Sequence, residues 1–330
     1  MEPLVSICCI TYNHEKYIAD AIKSFLMQET NFPIEIIIHD DASKDNTANI
    51  IRKYEKKYPD IIKPIYQKEN QYSKGISITQ NFIAPNVKGK YVATCEGDDF
   101  WTDAKKLQKQ VDFLETHEDY IMCFHPVAVV DTNKNFTGRY LGPYGKGSRE
   151  YTIKDTVIGG VLHVSSRLIR AKYYTAEKPQ WMRNAKHGDY AFSLYLSAEG
   201  KVYFMDEVMS AYRKGVENSI MTNFRKNYTK NNDIEYHLNR IQTLNMADEY
   251  YKYKYHDEIQ LVNLISKVRI SLLQNDFSAS TRKMYKDFII QNGIIRFIKH
   301  VLLIKTPRIA NFLIRFKDRF TAKRINSNNF

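Results

Sequence analysis

Short apolar runs and amphipathic stretches alternate through the first hundred residues. Val5-Ser6-Ile7-Cys8-Cys9-Ile10 is almost continuously apolar and ends in Thr11-Tyr12-Asn13-His14, the pattern of a strand buried on both faces. Residues 15–28 then place Tyr17, Ile18, Ala21, Ile22, Phe25 and Leu26 on one helical face. A second apolar run, Ile34-Glu35-Ile36-Ile37-Ile38, ends in His39-Asp40-Asp41-Ala42-Ser43-Lys44-Asp45, and residues 46–58 read as a helix with Asp45 as its N-cap. Residues 61–67 predict a third strand, 76–87 a third helix and 91–95 a fourth strand. Such alternation predicts an α/β domain with a mostly parallel central sheet and helices on both faces. Ligands of these sheets bind beyond the carboxyl ends of the strands. All three polar clusters, Thr11-Tyr12-Asn13, Asp40-Asp41 and Glu96-Gly97-Asp98-Asp99, fall on that edge.

The last cluster carries the most chemistry. Crowded carboxylates repel one another and are costly to desolvate, so they gather where a cation neutralises them. Oxygen ligands suit Mg²⁺ or Mn²⁺, and a Mg²⁺ held by one or two carboxylates keeps positions for water and phosphate. No HExxH pair, GxGxxG fingerprint or P-loop occurs.

Further on, residues 110–116 read as a helix, 120–130 as one strand, and 132–151, rich in Gly, Asn, Lys and Tyr, as a loop. From about residue 230 to 275 the pattern is helical, with Ile234, Leu238, Ile241 and then Leu261, Ile265, Val268, Leu272 on apolar stripes. The expected organisation is a domain over 1–220, divided into 1–100 and 101–220, followed by a helical, basic region over 221–330.

These residues resemble the inverting family 2 glycosyltransferases of GT-A fold, which move a sugar from a nucleotide diphosphate to an acceptor hydroxyl. The resemblance rests on Ser6-Ile7 with Thr11-Tyr12-Asn13, on 40–47, on 96–99, on His187-Gly188-Asp189-Tyr190 and on Tyr212-Arg213, and covers residues 4–220. It implies a nucleoside pocket lined by Thr11, Tyr12 and Asn13, with Tyr12 stacked on a pyrimidine. Asp41 would accept from the base N3–H, which favours uracil and hence a UDP-sugar donor. Asp98 would contact the ribose or the metal shell, Asp99 would bind Mn²⁺ or Mg²⁺, and Asp189 would be the general base. A rival role for Asp189 is the N-cap of the helix that follows it, and the sequence does not separate the two. The 132–151 loop would lie on the acceptor side; His163 would touch a sugar or serve as a hydrogen-bonded structural histidine, and Trp181 would stack on a sugar face or simply pack.

Three positions depart from the family pattern. Gln80 stands where many relatives carry an arginine, Gly188 where they carry an acid, and no histidine follows Tyr212-Arg213 closely. At the diphosphate, Lys74 is the candidate substitute for the missing arginine, and Arg213 or Lys214 for the missing histidine. A catalytically silent protein of the same fold and a sugar nucleotidyltransferase are the alternatives. The second lacks its expected Gly-rich basic loop after the first strand.

Composition adds a compartment and a surface. Cys8, Cys9, Cys95 and Cys123 fall in predicted buried strands without zinc spacing, as core residues of a reducing compartment. Met1-Glu2-Pro3-Leu4 has no basic or extended apolar stretch, so no secretory signal is expected, and no run of about 18 apolar residues predicts a bilayer span. The net charge is +12, and residues 281–330 hold twelve Lys or Arg against Asp287 and Asp318. Apolar residues interleave with these cations. A basic amphipathic helix of this kind lies on an anionic membrane surface, where lipid-linked glycan acceptors are found; equally, its apolar side packs on the domain or on a second copy in a homodimer. No nucleic-acid motif is present. The expected location is cytoplasmic, at the inner face of the cell membrane.

Overall fold

The computed structural model describes residues 2–159, 162–217, 219–293, 295, 297–298 and 301–302. Most of the basic tail, including 303–330, therefore lies outside the described residues. The chain forms two compact units, Met1–Lys178 with Ser193–Val216, and Pro179–Phe192 with Glu217–Phe330.

In the first unit the expected parallel sheet is present. Strands β1 (Val5–Thr11), β2 (Ile34–Asp40), β3 (Ile62–Tyr66) and β4 (Tyr91–Thr94) pair in parallel in the order β3-β2-β1-β4. Eight strands complete the sheet, because β10 (Leu168–Arg170) pairs antiparallel between β4 and β6 (Tyr120–Phe124), and β11 (Lys201–Phe204) and the edge strand β9 (Arg149–Tyr151) follow. Val5, Ile7 and Cys9 of β1 are fully buried against helix α1 (Ile18–Leu26), which contributes Ile18, Ala21, Ile22 and Phe25. Helices α2 (Thr47–Lys57) and α3 (Lys106–Thr116) also flank the sheet, and all four cysteines are free and buried. The Glu35 carboxylate, buried near the start of β2, is satisfied by Ser6 Oγ at 2.6 Å and by the Lys88 N–H at 2.9 Å.

Several elements differ from the sequence pattern. Residues 79–83 form a single π turn and 84–86 a 3₁₀ turn in place of a regular helix, with Pro85 at the start of the latter; proline has no N–H to continue an α-helix. The run 120–130 breaks at His125-Pro126 into β6 and β7 (Val127–Val130), and these belong to different sheets. The supposed acceptor-side loop 132–151 contains β8 (Phe136–Leu141) and β9. With β5 (Phe100–Trp101) and β12 (Ser210–Arg213), β7 and β8 make a four-stranded sheet of order β5-β12-β7-β8. That small sheet brings Arg213 against the 96–99 loop.

The second unit contains helices Lys230–Tyr250, His256–Gln274 and Ala279–Asn292. Ile265, Val268 and Leu272 pack on Tyr285 and Phe288, as their stripe predicts. On the 230–250 helix the buried face instead carries Asp233, His237 and Arg240, while Leu238 is 53% exposed. Buried polar groups are tolerated where they are hydrogen-bonded: Asp233 receives bonds from Arg269 Nη2 (2.6 Å) and Tyr228 Oη (2.7 Å).

Candidate active site

The carboxyl ends of β1, β2 and β4 meet in a laced set of loops. Asn13 and Ala42 adopt left-handed conformations (φ 56° and 60°) that turn the chain sharply as it leaves the sheet. The Asn13 N–H donates to Ser43 Oγ at 2.9 Å, Asn13 Oδ1 accepts from the Lys44 N–H at 2.8 Å, and the His14 N–H donates to Thr47 Oγ1 at 2.8 Å. Asp45 accepts from the N–H groups of Thr47 (2.9 Å) and Glu15 (3.0 Å) and so ties in the first loop, but the N-cap of α2 is Asn46, one residue later than expected.

The acidic loop sits on this frame. A carboxylate oxygen from each of Glu96, Asp98 and Asp99 lies within 4.8 Å of the others. Glu96 is exposed, Asp98 is 13% exposed and Asp99 only 1%. Burial, then the charges of Asp98 and Glu96, push the Asp99 acid well above the usual carboxylate range. Its Oδ1 accepts from the Arg213 N–H at 2.9 Å, while Oδ2 is buried with no hydrogen-bond partner among the described residues. Three converging oxygens, one of them buried and unsatisfied, are a donor set that fits a hard divalent cation. His163 Nε2 lies 4.0 Å from that same Oδ2. The Nδ1 of His163 faces Ser165 Oγ at 2.9 Å and accepts from the Ser165 N–H at 3.3 Å, which places the ring proton on Nε2. Burial, and then the Arg167 charge, lower the imidazole to about 3, so it is neutral.

The remaining predicted residues separate into three groups. Tyr12, 37% exposed, is open to a ligand, whereas Thr11 is buried with Oγ1 3.1 Å from His14 Nδ1. Asp41 is 1% exposed and its two oxygens accept from the N–H groups of Gln71 (2.8 Å) and Tyr72 (3.1 Å); the carboxylate anchors the 70–75 segment and offers no open edge to a base. Lys74, on that segment, pairs with Glu69. Arg213 is turned inward and spent on protein acceptors, which corrects its expected place at a diphosphate. In the second unit, Trp181 is 4% exposed with its ring 6.2 Å from that of Tyr251, a packing residue and not an open sugar platform. Asp189 is exposed in the first turn of helix Gly188–Glu199.

Two site residues carried no usable sequence signal. His14 places Nε2 3.8 Å from Asp98 Oδ2. Asp20 reads as an acid complementing the start of α1, yet it binds the guanidinium of Arg213 at 3.0 Å.

The model of glycosyl transferase family 2 matches residues 6–175, just over half of the chain. The chain belongs to glycosyl transferase family 2. An uncharacterized Mycobacterium tuberculosis protein is 33% identical to this family 2 chain over 227 residues, 67% of this chain and 63% of that protein, so the chain spans less than two thirds of that relative's length. A putative teichuronic acid biosynthesis glycosyltransferase of Bacillus subtilis is 29% identical over 223 residues, 67% of this chain and 83% of the relative. Among solved structures, S. aureus TarS in complex with UDP-GlcNAc matches with a TM-score of 0.62 at 18% identity, covering 100% of this chain and 92% of that one. That likeness shows the fold, the GT-A arrangement expected from the sequence.

Proposed function

We propose that this family 2 protein transfers a sugar from a UDP-sugar to a hydroxyl of a glycan or lipid-linked glycan, with inversion at the anomeric carbon and with Mn²⁺ or Mg²⁺ at the 96–99 cluster, in the assembly of a cell-surface polysaccharide. The observation that carries the reading is the unsatisfied, buried Oδ2 of Asp99 among the Glu96 and Asp98 carboxylates, at the carboxyl edge of the parallel sheet. Supporting it, the B. subtilis relative is named for teichuronic acid biosynthesis, and TarS was crystallised with UDP-GlcNAc.

In this reading Asp99 and Asp98 would hold the metal, with the Glu96 carboxylate beside them. A divalent cation, when bound, takes up the negative charge of the departing diphosphate. Tyr12 stacks on the base, and the neutral His163 directs its Nε2 proton toward Asp99 Oδ2 without adding a charge to the site. Asp189 accepts the proton of the attacking hydroxyl. The new bond forms between that oxygen and the anomeric carbon as the bond to the diphosphate oxygen breaks on the opposite face. One base and one in-line displacement require no covalent glycosyl-enzyme, hence inversion.

The test is UDP release from a panel of UDP-sugars with glycan acceptors in Mn²⁺, with the anomeric configuration of the product read by proton NMR. Inversion is expected, with turnover reduced about 10²- to 10⁴-fold in Asp189→Asn. Retention of configuration, or an Asp189→Asn variant as fast as wild type, contradicts the mechanism.

A further inference from the structure

Arg213 ends β12 with its side chain 1% exposed. Its guanidinium lies 4.7 Å from the ring centroid of Tyr17 and 5.1 Å from that of Phe100. Four donated hydrogen bonds tie it to three separate segments. The backbone N–H holds Asp99 Oδ1 (2.9 Å), Nε holds the Asp98 carbonyl (2.9 Å), Nη1 holds the Thr132 carbonyl (3.2 Å), and Nη2 holds Asp20 Oδ2 (3.0 Å). One residue thus grips the peptide of one candidate ligand and the carboxylate of the next.

A buried guanidinium needs a counter-charge, and removing one partner of such a pair leaves an uncompensated buried charge. Asp20, on α1, supplies that charge. Its other oxygen binds Lys134 Nζ at 2.7 Å, but the Lys134 side chain is half exposed. Fixing Oδ1 of Asp99 leaves Oδ2 as the oxygen directed into the carboxylate cluster, and holding the Asp98 carbonyl fixes the turn that carries both side chains.

We propose that Asp20 and Arg213 form a positioning pair that sets the Asp98-Asp99 turn for a divalent cation. The inference rests on the metal-centre reading above. Partners that orient metal ligands are typically worth about 10- to 100-fold in metal affinity. Lysine could keep the ion pair with Asp20 but lacks the planar fork that reaches two carbonyls at once.

The experiment is Mn²⁺ binding to the full chain, followed by the electron paramagnetic resonance of free Mn²⁺, with thermal melting to confirm folding. Asp20→Ala is expected to weaken binding about 10- to 100-fold, Arg213→Lys to weaken it in the same direction, and Lys134→Ala to leave it unchanged. Should Asp20→Ala not fold, Arg213→Lys alone decides. Wild-type affinity in a folded Asp20→Ala or, failing that, in Arg213→Lys overturns the proposal. A wild-type protein that binds no Mn²⁺ rejects the metal centre itself, and the two failures are told apart by that control.

Discussion

Gly97→Ala tests whether the acidic loop is seated on the end of β1. A Cβ at position 97 would stand 2.5 Å from Thr11 Oγ1, 2.7 Å from Thr11 Cβ and 3.0 Å from His14 Nδ1. Non-bonded carbons settle at about 3.5–4.0 Å, so the loop must retreat by about 1 Å. Thr11 cannot yield easily, because it is buried and its hydroxyl faces His14. The retreat pulls on the bond from the Gly97 N–H to the Ile10 carbonyl (3.0 Å) and moves Asp98 and Asp99 away from the frame that positions them. Overpacking of this kind costs about 1–3 kcal/mol. At about 2–4 °C per kcal/mol for a domain of 150–250 residues, the expected fall in Tm is about 2–12 °C, accompanied by weaker Mn²⁺ binding. Gly188→Ala is the matched control, since nothing lies within 4 Å of its Cβ position and its backbone is not left-handed; its Tm should equal or exceed wild type. Scanning calorimetry and Mn²⁺ titration of both variants decide. Gly97→Ala with wild-type Tm and Mn²⁺ affinity would refute the seating.

Three further outcomes follow from burial and charge. Asp99→Asn in chelator should melt at or above wild type, because burial and neighbouring charges favour the neutral acid; the contribution of Asp99 to wild-type stability is present at low pH and is lost as pH rises above the ordinary carboxylate value, where the unfolded chain ionises first. Mn²⁺ at 100 times its Kd should add about 2.7 kcal/mol to wild type and nothing to the variant, read by thermal shift. His163, lowered to about 3, should show no imidazole shift by NMR between pH 5 and 8, and a midpoint near the ordinary histidine value would contradict its burial; the sign is that folding stability is present above the ordinary histidine pKa and falls as pH drops below it. Trp181→Ala should cost about 3–5 kcal/mol in urea unfolding, and a variant of unchanged stability but lost turnover would return Trp181 to the sugar.

What could be read from the chain follows from how local each signal is. The β1 and β2 runs, α1 and the 96–99 cluster are written in contiguous residues, and they lie where the alternation of apolar and amphipathic segments places them. The four-stranded sheet is not local: β5, β7, β8 and β12 join residues 100, 127, 136 and 210 onward, and a period-2 pattern does not say which sheet a strand enters. For the same reason the run 120–130 read as one strand, although Pro126 marks where it changes sheet. Charged residues carry the least local signal, because their partners are set by the tertiary fold. The family resemblance draws Asp41, and charge draws Arg213 and Lys74, as ligand contacts, but each is engaged by the protein through partners at least five residues away in sequence, the 71–72 backbone, Asp20 and Glu69. Asp233 breaks the apolar stripe of the 230–250 helix in the same way, by finding Arg269 and Tyr228, and His237 faces Asp233 at 3.4 Å.

The proposed transfer depends on a metal-dependent nucleotide site built on Asp99. Calorimetry of UDP binding in Mn²⁺ and in chelator, for wild type and Asp99→Ala, tests it most directly. Wild type should bind UDP in Mn²⁺, and this binding should disappear with chelator and in the variant. Equal binding under all of these conditions, or no binding of UDP, GDP or CDP by wild type, would contradict it.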